Sequence, residues 1–80
     1  MGDPHAPAPP VKRSVTIAGH ETSIALEPIF WAGLEGAAAA EALPLNALIA
    51  RIDAARLEQS PPANLASAIR QWLFARASAR

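Results

Sequence analysis

Hydrophobic positions along the chain follow two different periods. Between Val11 and Glu27 they alternate with polar or small ones: Val15 and Ile17 with Ser14 and Thr16, then Ile24 and Leu26 with Ser23 and Ala25. A period of two is what a half-buried strand requires, so the spacing predicts strands over about 13–17 and 22–26. Ala18-Gly19-His20-Glu21 lies between the runs, and Gly19 is free to take the positive φ of a tight turn. The pair reads as a hairpin. Val15, Ile17, Ile24 and Leu26 are expected to face a core. Lys12, Ser14, Thr16, Glu21, Ser23 and Ala25 are expected to face outward.

Downstream the period becomes helical. Pro28 suits the first position of a helix over about 28–42, and Glu27 suits the positive end of its dipole. Phe30, Leu34 and Ala37 or Ala38 recur at helical spacing, with Trp31 beside them. Gly33 and Gly36 each cost roughly 1 kcal/mol against Ala inside a helix, and with Ala37 to Ala40 they leave one side nearly flat. Leu43-Pro44-Leu45-Asn46 turns into a second helix, about 45–58, with a stripe of Leu45, Leu48, Ile49, Ile52 and Ala55. Arg56 falls within that stripe; its stem is expected to lie on apolar surface with the charge in water. Gln59-Ser60-Pro61-Pro62-Ala63 breaks the chain. Asn64 then caps a C-terminal helix over 64–80, with Leu65, Ala68, Ile69, Trp72 and Leu73 on its apolar side.

Three regions follow: a proline-rich tail over 1–10, expected to be disordered, a core over 11–58, and the C-terminal helix over 64–80. Eighty residues allow one small domain. The sequence has no cysteine, which excludes disulfides and thiolate metal sites, and two histidines fifteen residues apart do not make a zinc site. No metal or cofactor is expected. No apolar run spans a membrane and no secretory signal opens the chain, so a cytoplasmic protein is expected. Catalysis has almost no candidates. His20 sits beside Glu21 in the turn with no nucleophile placed near it, so the chain reads as a non-enzyme.

Net charge is zero, yet it is unevenly spread. Residues 21–41 carry Glu21, Glu27, Glu35 and Glu41 with no basic residue, whereas 59–80 carry three arginines and no acid. An acidic first helix is therefore flanked by a basic strand (Lys12, Arg13) and a basic last helix. So little strand ahead of two helices leaves an open edge. Pairing with the same strand of a second chain would close it with two-fold symmetry. A two-stranded ribbon of that kind fits the major groove of DNA.

Thr22-Ser23-Ile24-Ala25-Leu26-Glu27, Phe30-Trp31 and Leu43-Pro44-Leu45-Asn46-Ala47-Leu48-Ile49 together resemble the ribbon-helix-helix superfamily of Arc, MetJ and CopG repressors. Lys12-Arg13-Ser14-Val15-Thr16-Ile17, with Gly19-His20 and Thr22-Ser23, is similar to a branch of small uncharacterised bacterial members. The segment Asn64 to Arg70 resembles the third segment of that branch. The resemblance implies a mainly α fold with a short β-ribbon, an intertwined obligate homodimer, and a third, C-terminal helix. It also implies a ribbon that reads base edges in the major groove. Its outward positions fall on Glu21, Ser23 and Ala25. A phosphate would sit at the start of the second helix, at Pro44, Leu45 and Asn46.

Lys12 and Arg13 are the basic candidates beside that ribbon, and Ser14 and Thr16 share its strand. The chain departs from the family at three points. Glu21 stands where a basic or polar residue is usual, Ala25 where Ser or Thr is usual, and Pro44 where a hydroxyl residue usually caps the helix. A carboxylate repels phosphates, Ala25 offers only a methyl group, and Pro44 loses a hydroxyl contact. The expected function is a dimeric DNA-binding transcriptional regulator, with nucleic-acid contacts from Lys12, Arg13, Ser14, Thr16, Glu21, Ser23, Ala25 and Asn46. The alternative is a dimeric protein-interaction module, antitoxin-like or an adaptor, with weakened DNA binding and with Trp72 and Phe74 as partner anchors on the last helix.

Overall fold

A computed structural model describes residues 7–79. Pro7 to Pro10 are exposed and outside any helix or strand; residues 1–6 of the expected tail, and Arg80, lie outside the described residues. Five elements follow in order: β1 (Val11–Ile17), β2 (His20–Leu26), α1 (Pro28–Ala40), α2 (Leu45–Leu57) and α3 (Leu65–Ser78).

The two strands form an antiparallel hairpin within one chain, in a register running from Val11 opposite Leu26 to Ile17 opposite His20. The hairpin expected from the two alternating runs is thus present, with β1 beside β2 in a two-stranded sheet. β1 begins two residues before the expected boundary, since Val11 and Lys12 still pair with Leu26 and Ala25. Its loop is Ala18-Gly19, with φ of 51° and 82°. Two successive positive φ values mark a type I′ turn, whose twist matches that of the flanking strands.

One face of the hairpin lies on the three helices. Its Ile17, Ile24 and Leu26 join Trp31, Leu34, Ala37 and Ala38 of α1, Leu48, Ile49 and Ile52 of α2, and Ile69 of α3 in a single core. α2 packs against β1 and α3 against β2, and each helix touches the other two. Trp31, not Phe30, is the aromatic fully inside; Phe30 is half-buried. Ala55, expected in the buried stripe of α2, is exposed.

α1 stops at Ala40, two residues short of the expected end. Ala42 takes φ 55°, the Leu43 N–H donates to the Ala38 carbonyl and the Ala42 N–H to the Ala39 carbonyl. This is the Schellman arrangement, with alanine at a position that normally favours glycine. Leu43 then packs on the core. At the start of α3 the Asn64 side chain accepts from the Ser67 N–H at 2.8 Å. Arg56 does not send its charge to water. Its Nε donates to Asp53 at 2.7 Å and a terminal nitrogen donates to the Ala63 carbonyl at 3.0 Å, tying the α2–α3 connection to α2.

Candidate nucleic-acid interface

Side chains opposite one another in an antiparallel pair share a face of the sheet. The register therefore places Lys12 with Ala25, Ser14 with Ser23 and Thr16 with Glu21 on the face turned away from the helices. All six are exposed. The face is small-side-chained and polar, with a cation near its open end and a carboxylate near its turn. Among the described residues, neither charge is within ion-pair distance of an opposite one.

Arg13 is separated from this group. It is one residue out of phase with Lys12 and pairs with Ile24, on the helix-facing side. Its guanidinium lies 4.6 Å from the centre of the Trp31 ring and donates to Glu35 at 3.1 Å. The same indole donates its Nε1–H to the Val11 carbonyl at 2.8 Å. Arg13 and Trp31 thus clasp β1 to α1, and the Arg13 charge is spent inside the chain. The alternation that marked Lys12, Ser14 and Thr16 as outward already carried this signal, since Arg13 is in phase with Val15 and Ile17.

The uneven charge of the sequence is resolved by ion pairs between elements. Arg70 of α3 reaches Glu27 at 2.9 Å, and Glu41 accepts from both Arg51 at 2.8 Å and Arg76 at 2.9 Å. Glu27 is held below the usual carboxylate range by its own backbone N–H and then by Arg70. Glu41 is held low by Arg51 and then Arg76. Glu27 does not cap α1 with its side chain; that carboxylate is directed to Arg70 instead. Arg70 also lies 5.7 Å from the Phe30 ring, and Arg76 lies 5.6 Å from Trp72.

Asn46 belongs to a different element. It is the second residue of α2, after Pro44 at the N-cap, and is exposed. Pro44 has no N–H, and its carbonyl accepts from Ala47 and Leu48. The N–H groups of Leu45 and Asn46 have no acceptor within the helix, so the helix start presents two donors and the positive end of its dipole. Of the aromatic residues on α3, Trp72 packs partly on the core, whereas Phe74 is 75% exposed. Among the described residues no three His, Asp or Glu side chains come together as a metal site, and no helix is long and apolar enough to cross a membrane.

The family model of the ribbon-helix-helix domain matches residues 10–77. Comparison with curated proteins and with solved structures gives no match.

Proposed function

The chain belongs to the ribbon-helix-helix domain family, and from that premise we propose that it is a homodimeric, cytoplasmic transcriptional regulator. It would act by laying the outer face of its hairpin in the major groove of DNA. The family generally includes DNA-binding regulators and antitoxins, and its members are typically non-enzymatic. The observation that carries the proposal is the outer face itself. Six exposed side chains lie on one side of a two-stranded ribbon, and the opposite side buries Ile17, Ile24 and Leu26 against the helices. A ribbon of two strands has the width that the groove admits. Ser14, Thr16 and Ser23 donate or accept to base edges, Ala25 offers a methyl to thymine, and Lys12 meets guanine acceptors or phosphate. The N–H groups of Leu45 and Asn46, with the Asn46 amide, hold a backbone phosphate. Regulation follows from occupying an operator and involves no chemistry.

The dimer rests on the family, whose domains generally dimerise and bind DNA. The test is a titration against duplex DNA at several salt concentrations, with sedimentation of the free and bound protein. A phosphate binder loses affinity linearly in log salt, with slope near −0.9 per phosphate neutralised. The expected result is salt-sensitive binding by a dimer. Binding absent at low salt, or a single chain both free and on DNA, contradicts it.

One observation favours a protein-interaction module instead. Arg13, Arg51, Arg56, Arg70 and Arg76 are all held in ion pairs, which leaves Lys12 as the unpaired cation among the described residues. Phe74 and Ile29 are meanwhile exposed on the helical side. That reading predicts little DNA binding at any salt concentration.

A further inference from the structure

Glu21 is the odd member of the outer face. Glu27, Glu35, Glu41 and Asp53 each accept from an arginine. Among the described residues only Glu21 and Glu58 have no ion pair, and Glu58 sits at the C-terminal cap of α2. Glu21 thus keeps its acceptor oxygens free on the same face as Lys12, Ser14 and Ser23. Lys12 and Glu21 cancel, and Arg13 is turned to Glu35. The face therefore carries no net charge to draw it to phosphates without regard to sequence.

An ionised carboxylate only accepts hydrogen bonds. In the major groove the base donors are the cytosine N4 and adenine N6 amino groups; guanine presents two acceptors and thymine one acceptor and a methyl. Adenine sets its N7 acceptor beside its amino group, whereas cytosine presents the amino group alone. We propose that Glu21 is a specificity-determining residue that selects cytosine, through its N4 amino group, at one position of each half-site. This rests on the DNA-binding reading above. The residue that weakens general attraction to DNA is then the one that makes binding selective, because phosphates repel it, guanine and thymine offer it no donor, and adenine sets an acceptor beside its amino group.

The register supplies an internal control. Thr16 lies opposite Glu21 and Ala25 opposite Lys12, so the two charged side chains are four residues apart along the strands. That is roughly 13 Å, or about four base steps at roughly 3.4 Å each. Lys12 suits the O6 and N7 acceptors of guanine. Two base preferences separated by about four steps are expected, and only one of them should depend on Glu21.

The test is selection from a randomised duplex library with the full-length protein, Glu21→Ala and Glu21→Gln. Each variant is checked for a cooperative melt. Wild type should prefer cytosine at one position of each half-site by roughly 5- to 150-fold, the range for one good base contact. Glu21→Ala should lose that preference, keep the other one, and bind unselected DNA more tightly. Glu21→Gln, whose amide also donates, should shift the preference toward adenine. Should Glu21→Ala fail to fold, Glu21→Gln decides alone. A cytosine preference unchanged in the folded variants overturns the proposal and leaves DNA binding intact. If wild type enriches no sequence because it binds no DNA at low salt, the DNA-binding reading falls, and this proposal with it.

Discussion

Lys12 and Arg13 are neighbours in the chain and lie on opposite sides of the same sheet. Lys12 stands in solvent opposite Ala25, whereas Arg13 stacks on Trp31 and bonds Glu35. The difference extends to the whole hairpin. Its inner face sends Ile17, Ile24 and Leu26 into the core, pairs its one arginine with Glu35, and holds β1 onto α1. Its outer face is polar and has no packing duty. Two adjacent cations of similar charge therefore have different tasks, decided by strand parity and not by residue type. Stability and recognition can accordingly be changed one at a time.

The sharpest way to break this comparison is at Trp31. Replacing it by Ala removes a fully buried ring and the bond to the Val11 carbonyl. It should cost about 3–5 kcal/mol in urea denaturation. Ser23→Ala, on the other face, should stay within about 0.5 kcal/mol. Equal costs would mean that the outer face is also packed.

A smaller effect separates the two cations directly. Arg13→Ala should cost about 1 kcal/mol, from lost stacking and a partly exposed ion pair, and should leave the salt slope of DNA binding unchanged. Lys12→Ala should leave the denaturation midpoint nearly unchanged and make that slope shallower by about 0.9 per chain. The reverse pattern would exchange their roles.

Backbone strain gives gains of a similar or lesser size. Ala18 and Ala42 both hold positive φ, which costs an alanine roughly 1–2 kcal/mol. Ala18→Asn gives the turn the Asn-Gly pair that type I′ favours and should stabilise the hairpin by about 0.5–1 kcal/mol. Ala42→Gly should help by a similar or smaller amount, because glycine also loosens the unfolded chain. A drop in thermal midpoint for either variant would contradict the assigned turn geometry.

The smallest effect is on acid stability. Glu27 and Glu41 have lowered pKa values in the folded chain. Their contribution is therefore present above the ordinary carboxylate pKa and is lost as pH falls through the folded value. Denaturation midpoints should decline on acidification below about pH 4.5, and Glu27→Gln with Glu41→Gln should flatten part of that decline. An unchanged profile in the double variant would show that these pairs do not staple α3.

Much of this was legible in local pattern. The alternation of Val15, Ile17, Ile24 and Leu26, the stripe on α2 and the Asn64 cap are short-range signals, and each has a direct physical cause. The outward face was readable for the same reason. The pairing of β1 with β2 was readable as well, because two alternating runs joined through Gly19 make a short-range hairpin. Arg13 was grouped with Lys12 on charge although its parity placed it elsewhere. The end of α1 was misplaced because alanine at Ala42 disguises a stop that glycine would have announced. The partners of Arg70 and Arg76 depend on how elements distant in sequence meet, which no spacing encodes.

The central claim is that the outer face of the hairpin meets DNA, flanked by the start of α2. An NMR titration of the protein with duplex DNA, following backbone amides and methyl groups, tests it most directly. The account predicts that the largest shifts fall on Lys12, Ser14, Thr16, Glu21, Ser23 and Ala25, with Leu45 and Asn46 at the start of α2. Ile29, Gly36 and Phe74 should stay in place. Shifts centred on those three, or none at a DNA concentration that saturates ribbon-helix-helix regulators, would contradict it.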